Sequence, residues 1–194
     1  MKKNFSVLFL AGMLCVSTTS FAYSYQAERS GSSMAPDRVG KWDLGLGVAA
    51  GMNDSVDDSA FVYGQISYGV TPYIGLGVEA GWQEADGTTG ETIGVVPVMA
   101  DIIIRVPTIH EALVPYGIIG LGGAGVYAEL DNRDDKDDTA FAWKLGAGAD
   151  YFINPNWIFN FEFAYWSADV NLPTTSVGDG FDWWTVGVSL KYVF

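Results

Sequence analysis

The chain has 194 residues, of which 49% are hydrophobic and 14% aromatic, with 24 glycines, seven prolines and a formal net charge of −13. That length suits one domain or one barrel, the aromatic content excludes a disordered chain, and the acidity excludes the cationic footprint that nucleic-acid binding needs. Beyond the N-terminus no run of about 20 apolar residues exists that could cross a membrane as a helix.

The N-terminus reads as an address. Lys2 and Lys3 form a basic start, Phe5 to Val16 an apolar stretch of 12 residues, and Ser20-Phe21-Ala22 a small-residue cleavage site. This predicts a signal peptide over residues 1–22, because the apolar stretch falls short of a bilayer span. Cys15, the only cysteine, follows Leu14 where a lipobox needs a small residue, and it leaves with the signal. The mature chain then has no disulfide and no thiol chemistry. It keeps eight basic residues against 23 acidic ones, a net −15. Residues 23–40, polar and rich in Ser and Gly, read as a flexible lead-in.

From Lys41 onward apolar and polar residues alternate with a period of two, the mark of strands with one apolar face. Lys41–Met52 puts Trp42, Leu44, Leu46, Val48 and Ala50 on one face and Asp43, Gly45 and Gly47 on the other. Ala60–Val70 opposes Val62, Ile66, Tyr68 and Val70 to Gln65 and Ser67. Tyr73–Glu84 opposes Ile74, Leu76, Val78, Ala80 and Trp82 to Glu79 and Gln83. Glu91–Val106 opposes Val96, Val98, Ala100, Ile102 and Ile104 to Asp101 and Arg105. Pro115–Leu130 is glycine-rich on both faces, which leaves its orientation open. Its Gly117–Gly125 run lacks the following helix that a dinucleotide site requires. Thr139–Ile153 opposes Trp143, Leu145, Ala147, Ala149 and Tyr151 to Lys144 and Asp150. The segment from Trp157 opposes Phe159, Phe161, Phe163 and Tyr165 to Asn160 and Glu162. The last opposes Trp184, Val186, Val188, Leu190, Tyr192 and Phe194 to Thr185, Ser189 and Lys191.

Apolar faces this extensive call for lipid as their partner. Eight strands of bilayer-spanning length predict an all-β, eight-stranded antiparallel up-and-down transmembrane β-barrel over residues 41–194, because a sheet in lipid must close to pair its backbone. The connections alternate as such a barrel needs. Thr71-Pro72, Pro107–Val114 and Asn154-Pro155-Asn156 are tight turns; Asn53–Ser59, Ala85–Gly90, Asp131–Asp138 and Asp169–Gly180 are polar or acidic loops. Aromatic residues gather toward both strand ends, as in interfacial girdles.

The stretch from about Val95 to Phe194 carries VVPVMADIIIRVP, VPYGIIGLGGAGVY, WKLGAGADYFINPNWIFNFEFAYW and a closing VGVSLKYVF. In order and spacing it resembles the small outer-membrane β-barrel proteins, the outer membrane protein W group among them. The resemblance implies residence in the outer membrane of a Gram-negative cell after export through the periplasm. It also implies that Tyr192 and Phe194 belong to a C-terminal signal read by the barrel-assembly machinery. The acidic loops depart from that group and do not support carrying over a relative's ligand.

Two groups of residues stand out. Asp43, Glu79, Asp101, Arg105, Lys144, Asp150, Glu162 and Lys191 all point inward. They form either an ion-paired core or a narrow polar conduit, the core being preferred because eight strands enclose little more than their own side chains. Asp131, Asp134, Asp135, Asp137 and Asp138 crowd one loop and offer oxygen ligands to a divalent cation. Their spacing is not that of an EF-hand, so a solvated hairpin tip is preferred, with cation bridging to lipopolysaccharide as the alternative. His110, the only histidine, falls in a tight turn without an adjacent Ser, which disfavours a lipid A-modifying enzyme. No catalytic group, cofactor or resident metal is expected. The expectation is a monomeric barrel among outer-membrane lipid and lipopolysaccharide, with a structural envelope role or narrow porin-like passage of small or hydrophobic solutes. The alternative is a surface interaction module working through its acidic loops.

Overall fold

The structure, a computed structural model, describes residues 38–53, 59–86, 92–106, 112–129, 136–172 and 178–194. Eight strands follow one another as β1 (Trp42–Met52), β2 (Ser59–Gly69), β3 (Ile74–Asp86), β4 (Thr92–Arg105), β5 (Leu113–Glu129), β6 (Lys136–Phe152), β7 (Trp157–Leu172) and β8 (Gly178–Val193). Each pairs antiparallel with its neighbours, and β8 returns to β1, so the barrel closes in sequence order. The eight-stranded up-and-down architecture is as the alternation implies.

Closure runs to the last residue. Trp42 N–H donates to the Phe194 carbonyl at 3.2 Å and Phe194 N–H to the Trp42 carbonyl at 2.9 Å. The adjacent turn pins the same end. Asn154 Oδ1 accepts from the N–H groups of Asn156 (2.9 Å) and Trp157 (3.0 Å), while Asn156 Nδ2 donates to the Val193 carbonyl at 3.0 Å. Thr71 Oγ1 caps the β2–β3 turn in the same way, accepting from Tyr73 and Ile74 N–H. Short polar side chains thus hold the tight turns by bonding their own backbone.

The outer face is apolar along its length: Leu46 is 72% exposed, and Val98, Leu121, Phe141 and Phe161 are exposed too. In water such a surface would drive association; in a bilayer it is the contact surface. Aromatic pairs band both ends. Trp42–Tyr68 and Trp157–Tyr192 lie at the turn end, with ring centroids 4.9 and 5.0 Å apart. Tyr165–Trp184 (4.7 Å) and Trp143–Tyr165 (5.4 Å) lie toward the loop end.

Several strand boundaries differ from the sequence reading. β6 begins at Lys136, inside the segment read as loop 131–138, and Lys136 and Asp137 pair with Ala128 and Tyr127. β7 runs to Leu172 and β8 starts at Gly178, both inside the segment read as loop 169–180, with a register shift between Ala168 and Asn171. Charge marks a solvent-facing position, and a strand that protrudes beyond lipid carries charge while its backbone stays paired. β5 begins at Leu113, so the turn before it is shorter than 107–114. The open orientation of that strand is settled: Tyr116, Ile118, Ala124, Val126 and Ala128 are buried, while Ile119 and Leu121 face out.

Glycines on the inner face make room for bulky partners. A Cβ on Gly47 would lie 2.5 Å from Tyr63 Cζ and 2.7 Å from Ser189 Cβ, whereas nothing lies within 4 Å of one on Gly125. Gly47→Val is therefore expected to cost about 1–3 kcal/mol by overpacking, and Gly125→Ala to stay within roughly 0.5 kcal/mol of the parent. Urea unfolding in lipid vesicles measures both.

Candidate functional site: the barrel interior

Alternate residues of every strand fill the lumen, and they fall into two halves. The half nearer the turns is polar. Its chain of contacts starts at Arg38, which ion-pairs with Asp43 and reaches Asp150 Oδ2 at 2.7 Å. Lys191 Nζ lies 3.3 Å from Asp150 Oδ1, which also accepts from Asn160 Nδ2 at 2.8 Å. Asn160 Nδ2 also reaches Tyr116 Oη at 2.8 Å, and that hydroxyl donates to Glu162 Oε2 at 2.6 Å. Glu162 leads to the centre, where Lys144 Nζ faces Glu79 (2.9 Å), Asp101 (3.4 Å) and Glu162 (3.7 Å).

The half nearer the loops is apolar. Phe61, Ile93, Val95, Met99, Trp166, Val170, Phe181 and Trp183 are all buried there. Trp166 and Trp183 stack at 5.4 Å, and Phe61 meets Trp166 edge-on at 5.6 Å. Trp166 joins the two halves. Its Nε1 donates to Thr185 Oγ1 at 3.0 Å, and Lys144 Nζ lies 4.8 Å from its ring centroid. An internal cavity bounded by Phe61, Tyr63, Glu79, Glu162, Trp166 and Thr185 has a volume of about 10 Å³, room for about one water.

All eight inward residues singled out from sequence have buried side chains. The structure divides them: Asp43, Asp150 and Lys191 meet at the turn end, and Glu79, Asp101, Lys144 and Glu162 meet at mid-height. Arg105, also buried, forms no ion pair among the described residues, and its Nε and Nη1 have no hydrogen-bond partner. Of the acidic loop, Asp131, Asp134 and Asp135 lie outside the described residues, as does the side chain of Asp137. Asp138 accepts from Thr139 N–H at 2.8 Å. His110 also lies outside the described residues. Among those described, no three His, Cys, Asp or Glu side chains are grouped so that they could hold a metal ion. Tyr192 and Phe194 face outward and stack 6.5 Å apart.

Sequence reading placed Asn160 on the inner face without singling it out, and did not place Arg38, Tyr116 or Trp166 there. Trp166 shares the phase of Glu162, and Tyr116 that of Gly120, so extending each strand's inward phase finds them. Arg38 precedes the first strand and belongs to no alternation.

The charge balance at mid-height is uneven, with one ammonium among three carboxylates, all buried. Lys144→Met leaves three carboxylates without their cation and is expected to destabilise by about 3–5 kcal/mol. Adding Glu79→Gln should recover part of that loss. Urea midpoints at unchanged m-value report it.

The family model described as outer membrane protein beta-barrel domain matches residues 8–194. The 31 kDa outer-membrane immunogenic protein of Brucella melitensis biotype 1 is 29% identical over 160 residues, covering 76% of this chain and 65% of that protein. Its counterpart in Brucella suis biovar 1 matches equally. This chain thus spans just under two thirds of the length of these curated relatives. Among solved structures, Neisserial surface protein A superposes with a TM-score of 0.64 at 12% identity, over 78% of this chain and 95% of that one. Ail of Yersinia pestis gives 0.56 at 16% identity, over 80% and 99%. The N-terminal barrel of Pseudomonas aeruginosa OprF gives 0.54 at 14%, over 80% and 98%. These likenesses are of fold alone.

Proposed function

Since the chain belongs to the outer membrane protein β-barrel domain family and is an outer-membrane barrel, we propose that it acts as a closed structural anchor rather than as a channel. The observation that carries this reading is the filled interior. Lys144 and its three carboxylates occupy mid-height, and stacked Trp166 and Trp183 lie beyond them on the loop side. A solute crossing from end to end would have to break the buried ion cluster and part an aromatic layer packed at van der Waals contact. Both steps are costly in a narrow lumen.

What the anchor presents is its loop end. By sequence, residues 53–59, 84–91, 129–138 and 169–182 hold 15 of the 23 acidic residues and only Arg133 and Lys136 of the basic ones. This favours a second role at the surface, in which divalent cations join the acidic loops to the phosphates of lipopolysaccharide.

Two experiments test these readings. In planar bilayers the refolded protein is expected to be electrically silent; reproducible discrete steps that change with Lys144→Met would overturn the closed-anchor reading. In bilayers containing lipopolysaccharide, calcium is expected to raise the unfolding midpoint, by about 2–4 °C for each kcal/mol of linkage. Replacing Asp131, Asp134, Asp135, Asp137 and Asp138 with Asn should abolish the shift. A calcium response that survives the replacement removes the surface reading from this loop.

A further inference from the structure

Arg38 lies before the first strand, yet its guanidinium is buried inside the barrel. The backbone around it explains how. Val39 bridges to Gly69, Gly40 N–H donates to the Gly69 carbonyl at 2.8 Å, and Gly69 N–H donates to the Lys41 carbonyl at 3.0 Å. Lys41 N–H turns back to the Arg38 carbonyl at 3.1 Å. Gly40 sits at φ 75°, the left-handed region that favours glycine. Gly69 has only hydrogen where any side chain would run into the Arg38 carbonyl. The chain therefore folds over the rim of β2 and sends the Arg38 side chain down into the lumen.

The receptor for that side chain is built wholly by the barrel. Asp43 of β1 and Asp150 of β6 each take one prong of the guanidinium. Ser67 of β2 donates to Asp43 Oδ2 at 2.7 Å and orients it. The Phe152 ring lies 6.0 Å from the guanidinium carbon, within cation–π range. Two carboxylates and an aromatic face form a guanidinium site, and the planar fork of arginine suits it as an ammonium would not. By contrast, the backbone bonds that join Gly40 and Lys41 to Gly69 lie at the barrel's edge, on the rim of β2. Segments at such an edge open at lower free energy than the strands around them.

We propose that residues 38–40 form a latch, in which Arg38 occupies a guanidinium-binding site of the barrel in cis and closes the turn-end mouth of the polar half. Its release opens the polar half to the periplasm while the apolar half stays shut. The freed site takes a guanidinium group from the periplasmic side. This goes beyond the closed-anchor reading, which concerns passage through the apolar half.

The test uses the full chain with Cys15→Ser, so that an introduced cysteine is the only thiol. Ser189→Cys reports on the polar half, where Ser189 is buried and bonded to Asn160 at 3.1 Å. Thr185→Cys reports on the threshold of the apolar half, where Thr185 is bonded to Trp166 at 3.0 Å. Each is reconstituted in vesicles with its turn end accessible and treated with a small cationic thiol reagent. With Arg38→Gly, labelling at position 189 is expected to rise about tenfold or more, following loss of a buried ion pair that holds the opening equilibrium. Labelling at position 185 should not change. Guanidinium chloride at low millimolar concentration should slow position 189 again, and sodium chloride at equal ionic strength should not. Unchanged labelling at 189 in a correctly assembled, heat-modifiable barrel overturns the latch. A matching rise at 185 also overturns it, since the barrel would then have loosened as a whole. Equal suppression by sodium overturns the guanidinium site. If Arg38→Gly does not assemble, Asp43→Asn removes one of the two carboxylates with Arg38 in place. An intermediate rise at 189 then supports the latch, and none overturns it.

Discussion

The constraint on which the rest depends is backbone pairing in lipid. An N–H or C=O facing hydrocarbon without a partner costs several kcal/mol, so the sheet has to close. Here it closes from Trp42 to Phe194 at the chain's last residue. Closure with eight strands then sets the lumen's width, and at that width inward side chains meet across it. Everything observed inside follows from that crowding. Glycines such as Gly47 stand opposite Tyr63 because two side chains do not fit there, and Lys144 can touch carboxylates from β3, β4 and β7 at once.

The same crowding requires charge compensation at short range. Arg38, Arg105, Lys144 and Lys191 share the lumen with Asp43, Glu79, Asp101, Asp150 and Glu162. The hydrogen-bonded chain from Arg38 through Asn160 and Tyr116 to Glu162 spreads that compensation along the polar half, and a connected network is worth more than isolated pairs. It ends at Trp166, beyond which no described inward charge appears. Interior polarity is thus graded from turn end to loop end. On the closed-anchor reading proposed above, a barrel graded in this way would hold its strands in register without providing a polar path across.

Much of this was legible in the sequence, and what was not has identifiable causes. Period-two alternation located eight strands because lipid on one side and a packed lumen on the other impose opposite chemistry on successive residues. The inward charges Asp43 through Lys191 followed from the same phase. The inner aromatics did not stand out, because Phe61, Trp166 and Trp183 look like lipid-facing residues until the strand's phase is extended to them. Asp137 and Asp179 concealed the ends of β6 and β8, because charge was read as loop where a protruding strand stood. Arg38 was illegible for another reason. Its position depends on a turn over the β2 rim made possible by Gly40 and Gly69, two residues 29 positions apart with no shared pattern.

The distribution of the few cations bears on the surface as well. The mature chain has eight basic residues by the cleavage expected after Ala22, and among the described residues Arg38, Arg105, Lys144 and Lys191 lie inside the barrel. Cations spent on interior carboxylates are unavailable to the loops, whose segments therefore stay strongly acidic. Against an outer leaflet of phosphorylated lipopolysaccharide, like charges repel within the Debye length of about 8 Å at physiological salt. In the proposed surface role divalent cations would reverse the sign of that contact, because carboxylate and phosphate oxygens are both hard ligands that one calcium or magnesium ion can share. Filling the lumen with cations and leaving the loops acidic are thus two consequences of one allocation, and in the surface role proposed above the second would make the barrel's seat in its membrane depend on the ions around it.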